Sequence, residues 1–297
     1  MKHELDLFLQ KSVPELEKEL KRHMPLSSLE GSDDLNRAIQ YALFPGGKRM
    51  RPLFTLLAAH TAGGDWHCAL PVACVVEYLH TCSLILDDLP CMDRASERRG
   101  KRPTYVEFSE STAILAAIAF LNRGWTLLLQ NDASQEGAIR TRRLVEEAAR
   151  CIGPDGIIGG QFLDLAQREG IRGPIPNLLK TASTTRFMLS SGSIIADAPD
   201  EVVEALAIFG EEIGSAYQML DDIIDGEADA KTIEGEKAAC LLHFACNRLN
   251  QSMDACARFI SDGSATLLLE YTRWVFQPTI ERATQCIQSE AARVDKS

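Results

Sequence analysis

The sequence has no long run of apolar residues. Its longest such stretch, AILAAIAFL at 113–121, is about half as long as a helix that spans a bilayer. The opening residues, MKHELDLFLQ, carry charges in every turn and lack the apolar region of a signal peptide. With 45% apolar residues, the chain is expected to be a globular, cytoplasmic protein without a membrane span.

Paired cysteines and an excess of positive charge are also missing. None of the nine cysteines forms a C-x-x-C pair. Cys240, His243 and Cys246 alone are a weak metal signal, so buried, reduced thiols are expected. The net charge of −11 argues against a nucleic-acid partner. Within this acidic background, any cluster of Lys and Arg stands out as a local anion site.

Strand-like alternation, internal repeats, linkers and low-complexity tracts are absent too. Apolar residues recur instead at helical spacing along nearly the whole chain, and Pro14 predicts a break in the first helix. The pattern predicts one all-α domain over residues 1–297, a bundle of roughly ten or more helices. The predicted helices cover 4–24, 34–44, 50–62, 68–88, 107–130, 138–151, 156–168, 175–197, 200–225, 236–261 and 264–290.

Two clusters of aspartate follow apolar helical stretches. The first lies in LILDDLPCMD at 84–93, and the second in YQMLDDIID at 217–225, where three carboxylates share one helical face. Adjacent carboxylates repel each other and resist burial unless positive charge lies between them. A solvated helix end would explain one such pair, but two facing clusters would form a cage of oxygen ligands. Mg²⁺ suits that cage, because it takes few carboxylates and completes its shell with water and phosphate.

Three groups of cations accompany the acids. PGGKRMRP at 45–52 sets cations beside a glycine turn, which suits a phosphate although it could be an ordinary helix start. ERRGK at 97–101 offers two arginines that can each bind phosphate in bidentate fashion, although either run alone could be a solvated face. Lys180 could equally extend to water, and His80 could be an ordinary core histidine.

Acidic clusters, cationic groups and an apolar interior together suit a ligand with a diphosphate head and a hydrocarbon tail. The G-x-x-x-x-G-K-[ST] loop of many nucleotide enzymes is absent. The sequence resembles the trans-isoprenyl diphosphate synthases, which include the farnesyl, geranylgeranyl and longer polyprenyl diphosphate synthases. The resemblance is carried, in order, by GGKRMRP at 46–52, HTCSLILDDLPCMD at 80–93, RRGK at 98–101, GGQFLDL at 159–165, KT at 180–181 and YQMLDDIID at 217–225.

The resemblance implies an isoprenoid synthase fold around a central apolar cavity and a homodimer built on helices near 107–130. It implies a condensation of isopentenyl diphosphate with an allylic diphosphate, in which roughly three Mg²⁺ ions help to stabilise the departing diphosphate. By the same resemblance, the metal ligands would be Asp87, Asp88, Asp93, Asp221, Asp222 and Asp225. Lys180, Thr181 and Gln218 would be catalytic and, with Arg98, contact the allylic substrate, whereas isopentenyl diphosphate would be bound by Lys48, Arg51, His80 and Arg99.

Three departures from the family pattern lie between the two acidic motifs. RASE at 94–97 replaces acidic residues that usually follow the first motif. Ala117 and Ile118 replace a Gly-Asp pair, and Arg102 is an apparent insertion after RRGK.

A fourth departure follows the second motif. The family has a glycine- and lysine-bearing loop there, with a further diphosphate-binding lysine, where this chain reads GEADAKTIEGEKAAC. Lys231 or Lys237 could take that role. These departures leave a non-catalytic homologue, or a partner subunit of an active synthase, as one alternative. A class I terpene cyclase or hydrolase is another, although it needs no second diphosphate pocket.

Product length is predicted from the residues one helical turn before Asp87, since an apolar channel must run below that carboxylate. Those residues, Cys82 and Ser83, are small, whereas farnesyl-making relatives carry an aromatic residue at about that place. Pro90-Cys91 is shared with short-chain members of the family. Geranylgeranyl diphosphate is therefore favoured over farnesyl diphosphate. Alternatively, Cys82 and Ser83 pack against a neighbouring helix and a bulky side chain such as Phe120 limits the product.

Overall fold

Helices make up most of the described structure. The computed structural model describes residues 2–129, 134–168, 176–225 and 235–294, apart from a few side chains at the ends of these ranges. These residues contain no strand, so the predicted all-α class is confirmed. A short 3₁₀ turn, Trp66–Ala69, leads into the fourth helix. The helices are α1 (Lys2–Arg22), α2 (Asp33–Leu43), α3 (Met50–Thr61), α4 (Leu70–Asp87), α5 (Thr104–Glu107), α6 (Glu110–Leu128), α7 (Gln135–Ile152), α8 (Ile157–Arg168), α9 (Pro176–Ile195), α10 (Asp200–Asp225), α11 (Gly235–Phe259) and α12 (Thr266–Val294).

The helical pattern of the sequence located these helices apart from a few terminal residues and apart from α5, which it missed. The predicted helix at 107–130 ran across the break between α5 and α6 at Phe108 and Ser109.

The predicted break at Pro14 is wrong, because α1 continues through that residue. Leu5, Phe8, Leu16 and Leu20 on both sides of Pro14 are buried in the core. Their shared apolar face holds the helix together across the missing amide of proline.

Helix α4 lies at the centre of the bundle and packs against α1, α3 and α6. Most of its residues are buried, so its composition is apolar on nearly every face. The fully buried Tyr78 donates its hydroxyl to the Leu20 carbonyl oxygen at 2.8 Å, which ties α4 to α1. This central position brings the acidic C-terminal end of α4 into the interior.

Helices α9 and α10 approach each other closely because glycine lies between them. A Cβ atom on Gly214 would lie 2.0 Å from the Thr185 hydroxyl oxygen, and one on Gly210 would lie 2.4 Å from the Thr185 carbonyl oxygen. Any larger residue would push the two helices apart. The close approach places Gln218, one turn after Gly214, beside Thr181.

A buried arginine ties α9 to its neighbours. Arg186 is 4% exposed and donates to Glu147 on α7 at 2.8 Å and to Glu204 and Glu211 on α10 at 2.8 and 3.0 Å. Several carboxylates around one guanidinium compensate for the loss of its hydration. This ion network stabilises the packing of α7, α9 and α10.

The nine cysteines are all free. Cys74, Cys82, Cys151 and Cys256 are buried, as expected, whereas Cys68, Cys91 and Cys240 are exposed and Cys246 and Cys286 are half-buried. The expectation of reduced thiols therefore agrees with the structure, but burial holds only for some of them.

Two helical stretches among the described residues are long and apolar enough to cross a membrane, judged by length and composition alone: Trp66–Asp87 and Glu110–Leu128. The first is 67% buried inside the chain, so packing in the core accounts for its apolar composition. The second is only 39% buried and exposes Ile114, Leu115 and Ile118. The expected lack of a membrane span stays a prediction.

Candidate active site

The first acidic cluster lies where α4 ends. Asp88 caps the helix after Asp87, and the chain then turns back so that the Asp93 amide donates to the Asp87 carbonyl oxygen at 2.9 Å. Burial raises the pKa of the Asp87 carboxyl to about 6; Lys180 and Arg98 oppose that rise, and Asp93 adds to it. The cations nearby thus compensate only part of the cost of burying this carboxylate.

The RRGK motif forms a tight turn beside this cluster. The backbone amides of Arg98 and Lys101 donate to each other's carbonyl oxygens at 2.8 and 3.1 Å. Arg99 and Gly100 between them have φ angles of 54° and 74°, as a type I′ turn requires. The two arginine side chains then reach different partners. Arg98 donates from Nε and Nη2 to one oxygen of Asp88 at 2.8 and 2.6 Å. A residue predicted to bind diphosphate thus contacts a residue predicted to bind metal.

Arg51 and Arg99 converge on His80. Arg51 Nη1 lies 3.2 Å and Arg99 Nη2 lies 3.3 Å from His80 Nε2. A guanidinium can only donate, so Nε2 accepts and the imidazole is neutral. Burial, followed by the charges of Arg51 and Arg99, holds the pKa of His80 well below its usual value. Three of the four residues predicted for isopentenyl diphosphate thus form one cationic group, and the fourth, Lys48, is exposed.

Arg49, between Lys48 and Arg51, turns into the protein. It donates to Glu17 at 2.7 Å, to Glu77 at 2.5 Å and to the Leu43 carbonyl oxygen at 2.9 Å. The sequence reasoning assigned no role to Glu77. Its signal was present, because Glu77 is the only carboxylate of α4 before Asp87.

Lys180 also lies inside the site and does not extend to water. Its ammonium donates to Gln161 Oε1 at 2.8 Å and to Asp164 Oδ2 at 3.1 Å, and it is close enough to Asp87 to act on the pKa of that carboxyl. Gln161 and Asp164 belong to GGQFLDL on α8, a motif that the resemblance included but to which it gave no residue roles. They hold Lys180 beside the first acidic cluster.

The second acidic cluster meets the next residue of α9. The Thr181 hydroxyl donates to Gln218 Oε1 at 2.6 Å, and Gln218 Nε2 donates to Asp222 Oδ1 at 2.8 Å. The described structure includes Asp225 as the last residue of α10 but not its side chain. Lys180 therefore acts by its charge on Asp87 of the first cluster, and Thr181 is joined through Gln218 to Asp222 of the second.

Helix α10 also approaches the cationic group of Arg51, His80 and Arg99. Burial lowers the pKa of Arg51, while Glu77, Tyr217 and Asp221 raise it. Asp221 therefore acts electrostatically on a residue of the cationic group. The structure thus brings together the predicted residues of α3, α4, α9 and α10, which are far apart in the sequence.

The possible metal ligands of the two clusters are carboxylate oxygens. Among the side chains that the structure describes, no three of His, Cys, Asp and Glu lie close enough together to enclose a metal ion. Among these side chains, a metal site built from the protein alone is therefore not formed, and this includes the expected cage of carboxylates. Carboxylate oxygens at two helix ends instead suit Mg²⁺, which takes one or two carboxylates and completes its shell with water and phosphate.

One departure between the motifs, Arg102, is accommodated by local hydrogen bonds. The carbonyl oxygen of Arg102 accepts from the Tyr41 hydroxyl at 2.8 Å, and Arg102 Nη2 donates to the Val106 carbonyl oxygen at 3.2 Å. The extra residue is thus held by contacts with α2 and α5. Of the two lysines suggested after the second motif, Lys237 is exposed on α11, and Lys231 lies outside the described residues.

The residues before Asp87 do not share one environment. Cys82 is 7% exposed and belongs to the hydrophobic core. At 3.6 residues per turn it points about 140° away from Asp87 around α4, whereas Ser83 points only about 40° away. Phe120 is fully buried against Tyr78, with ring centroids 5.4 Å apart. Cys82 therefore packs in the core, which is the arrangement given above as the alternative, and Ser83 remains below Asp87.

The chain is similar in sequence to proteins of known activity. A family model described as polyprenyl synthetase matches residues 32–241. Farnesyl diphosphate synthase of Bacillus subtilis is 38% identical over 210 residues, which are 69% of this chain and 71% of that protein. Geranylgeranyl pyrophosphate synthase 6, mitochondrial, of Arabidopsis thaliana is 36% identical over 201 residues, 65% of this chain and 60% of that protein.

A solved structure agrees with these relatives. The structure of an FPP/GFPP synthase from Zymomonas mobilis superimposes with a TM-score of 0.79 at 26% identity, over 93% of this chain and 99% of that one. The chain belongs to the polyprenyl synthetase family. The predicted family, fold type and enzyme class, a trans-prenyltransferase, are confirmed.

Proposed function

We propose that this protein condenses isopentenyl diphosphate with an allylic diphosphate to form a short-chain trans-prenyl diphosphate. The observation that carries the proposal is a pair of neighbouring cationic groups of different kinds. Arg98 is bound to Asp88 of the first acidic cluster, and Lys180, bound to Asp164, acts electrostatically on Asp87 of the same cluster, as suits a diphosphate that arrives with metal. Arg51 and Arg99 converge instead on His80, as suits a diphosphate bound directly.

The residues divide the work between the two substrates. Arg98 and Lys180 bind and orient the allylic diphosphate, while Thr181 and Gln218 present polar oxygens near the carbon from which it departs. Arg51, His80, Arg99 and the exposed Lys48 hold isopentenyl diphosphate so that its alkene reaches that carbon. A proton then leaves to the released diphosphate, so the reaction needs no side-chain base.

Mg²⁺ would be held by carboxylates of both clusters. When bound, it supplies positive charge that stabilises the diphosphate leaving group. Arg98 can exchange its carboxylate partner for phosphate oxygens, which leaves Asp88 available as a ligand. The full set proposed is Asp87, Asp88, Asp93, Asp221, Asp222 and Asp225, with roughly three ions.

The direct test is incubation of the purified protein with Mg²⁺, isopentenyl diphosphate and dimethylallyl, geranyl or farnesyl diphosphate. An elongated product supports the proposal. Release of diphosphate without elongation would identify a cyclase or hydrolase, for which one cationic group suffices. No reaction with any primer would favour a non-catalytic homologue or partner subunit.

Geranylgeranyl diphosphate is the product we favour, with farnesyl diphosphate next. The support is the small side chain of Ser83 below Asp87. Leu79, about one further turn along α4, is half-buried. Cys82, which lies in the core, no longer contributes to this argument.

A homodimer built on α6 belongs to the same proposal. Ile114, Leu115 and Ile118 are 39%, 55% and 52% exposed on this helix, and contiguous apolar side chains of this kind suit an interface. Ile118 stands where the family usually has aspartate, which makes the face more apolar. A cytoplasmic location stays a prediction of the sequence.

A further inference from the structure

Arg49 is the one arginine of GGKRMRP that the proposed reaction does not use. It is 3% exposed, and its guanidinium bonds to three different parts of the fold. Glu17 belongs to α1, Glu77 belongs to α4, and the Leu43 carbonyl oxygen ends α2. Burial opposes the charge of Arg49, but the hydrogen bonds with Glu17 and Glu77 outweigh it and raise the pKa of Arg49. The side chain is therefore firmly held.

The backbone at Arg49 is unusual. Its φ angle is 52°, in the left-handed region that side-chain-bearing residues seldom adopt. Such a conformation persists when the surrounding contacts enforce it. Arg49 immediately precedes α3, which begins at Met50. Its conformation therefore sets the direction in which α3 starts, and with it the position of Arg51.

Gly46 fits against the guanidinium of Arg49. A Cβ atom on Gly46 would lie 2.1 Å from Arg49 Cζ, and the φ angle of Gly46 is 36°. A long side chain usually moves aside at little cost, but Arg49 cannot move without breaking its buried hydrogen bonds. The next residue, Gly47, lies against Arg99, since its Cβ atom would be 3.1 Å from Arg99 Cζ.

Glu77 connects Arg49 to the cationic group that surrounds His80. It is 3% exposed and lies on α4 one turn before His80. Burial lowers the pKa of both Arg51 and Arg99, and in each case the carboxylate of Glu77 is the strongest opposing influence. The carboxylate that binds Arg49 thus also stabilises the charges of the two arginines that approach His80.

We propose that Arg49 is a positioning residue for isopentenyl diphosphate: its buried bonds to Glu77, Glu17 and Leu43 fix the Gly46–Arg51 segment and so place Arg51 beside His80 and Arg99. Arg49 does not contact the substrate itself. The inference rests on the proposed function only in taking the Arg51–His80–Arg99 group as the site for that diphosphate.

The test is Arg49→Lys, which keeps the positive charge but cannot reach three acceptors with one ammonium. Titration calorimetry with isopentenyl diphosphate alone should show a Kd about tenfold higher, equivalent to the loss of one charged hydrogen bond. In turnover, the KM for isopentenyl diphosphate should rise similarly. The KM for the allylic substrate and kcat should change by less than about twofold. Gly46→Ala should give the same pattern, because its methyl group displaces the guanidinium.

Arg186→Lys is the matched control. Arg186 is also a buried arginine with several carboxylate partners, but it lies outside the site. We expect a comparable loss of thermal stability with a Kd for isopentenyl diphosphate within about twofold of the wild type. Equal effects of the two lysine variants on Kd, or an unchanged Kd in both Arg49→Lys and Gly46→Ala, would overturn the inference.

Failure of the proposed function gives a different result. If the wild type binds isopentenyl diphosphate but makes no product, and Arg49→Lys weakens that binding, the positioning role stands and the proposed reaction does not. If the wild type does not bind isopentenyl diphosphate, the positioning role is overturned as well.

Discussion

Arg98 and Asp88 are joined by two hydrogen bonds to a single carboxylate oxygen, at 2.8 and 2.6 Å. The Asp88 side chain is 4% exposed, whereas that of Arg98 is 37% exposed. The arginine can therefore turn toward a ligand, while the carboxylate stays in the protein. A diphosphate that captures Arg98 frees Asp88 for a metal ion, so the two binding events are expected to favour each other.

This arrangement predicts different effects for the neighbouring arginines. Arg98→Ala should mainly lower kcat, because the allylic diphosphate that Arg98 binds gains negative charge as it leaves. Loss of such a contact lowers kcat on the order of a hundredfold. Arg99→Ala should mainly raise the KM for isopentenyl diphosphate, as the loss of ground-state binding does. Steady-state kinetics with each substrate varied in turn measures both. Matching kinetic changes in the two variants would contradict the division of roles.

The metal proposal predicts that Asp87→Ala and Asp221→Ala each lower turnover by at least about a hundredfold. Loss of one carboxylate from a crowded cluster relieves repulsion, so the helical circular dichroism and thermal midpoint should be preserved or rise slightly. Asp254→Ala, at an exposed position on α11, is the control and should retain activity. Near wild-type turnover of either site variant would show that its carboxylate holds no essential metal ion.

Product length should depend on Ser83 and not on Cys82. Ser83→Tyr places a ring below Asp87 and should shift the product toward fifteen carbons while the first condensation continues. Cys82→Tyr should instead destabilise the core by about 1–3 kcal/mol, as overpacking does. Product chromatography and thermal unfolding of both variants distinguish the positions. A shift in product length with Cys82→Tyr alone would restore Cys82 as the residue that limits the chain.

His80 should make stability depend on pH. Burial and the nearby arginines hold its pKa below the usual value in the folded protein, so the unfolded chain binds the proton more readily. The free energy of unfolding should carry no penalty from His80 above about pH 6.5. Below that pH it should fall, by at most about 1.4 kcal/mol per pH unit for one proton.

The comparison is between the wild type and His80→Gln, whose amide oxygen can still accept from both arginines. Urea unfolding of the two proteins at about pH 7.5 and about pH 5 isolates this histidine from the others. The wild type should lose more stability at the lower pH. An equal loss in the two proteins would show that His80 does not carry the effect.

The homodimer proposal predicts that Leu115→Glu on α6 produces monomers. A charge at the centre of an apolar interface must be buried without a partner, which opposes association. Sedimentation velocity of the wild type and the variant measures the change. Phe244→Glu on α11, where the side chain is 55% exposed, is the matched control and should leave the oligomeric state unaltered. A wild-type protein that sediments as a monomer would end the proposal.

Local patterns in the sequence were enough to locate the helices that carry the site and to name its chemical groups. Helical periodicity depends on neighbouring residues, so α4 and α10 could be located without knowledge of their partners. The acidic ends of these helices are equally local, because carboxylates three or four residues apart share a face. RRGK identified the cations, and Lys180 was recognised by its place in the order of motifs.

The division of neighbouring residues between the site and the core depends on helix packing and could not be predicted from the sequence. Lys48, Arg49 and Arg51 have similar chemistry, but the carboxylates of α1 and α4 draw Arg49 inward. These partners are distant in sequence, so no local pattern could single it out. The same holds for Cys82 and Ser83, whose adjacent positions on α4 face different surroundings. Local sequence specified which groups are present, and the packing of distant helices selected the ones that meet, because burial and ion pairing depend on the whole fold.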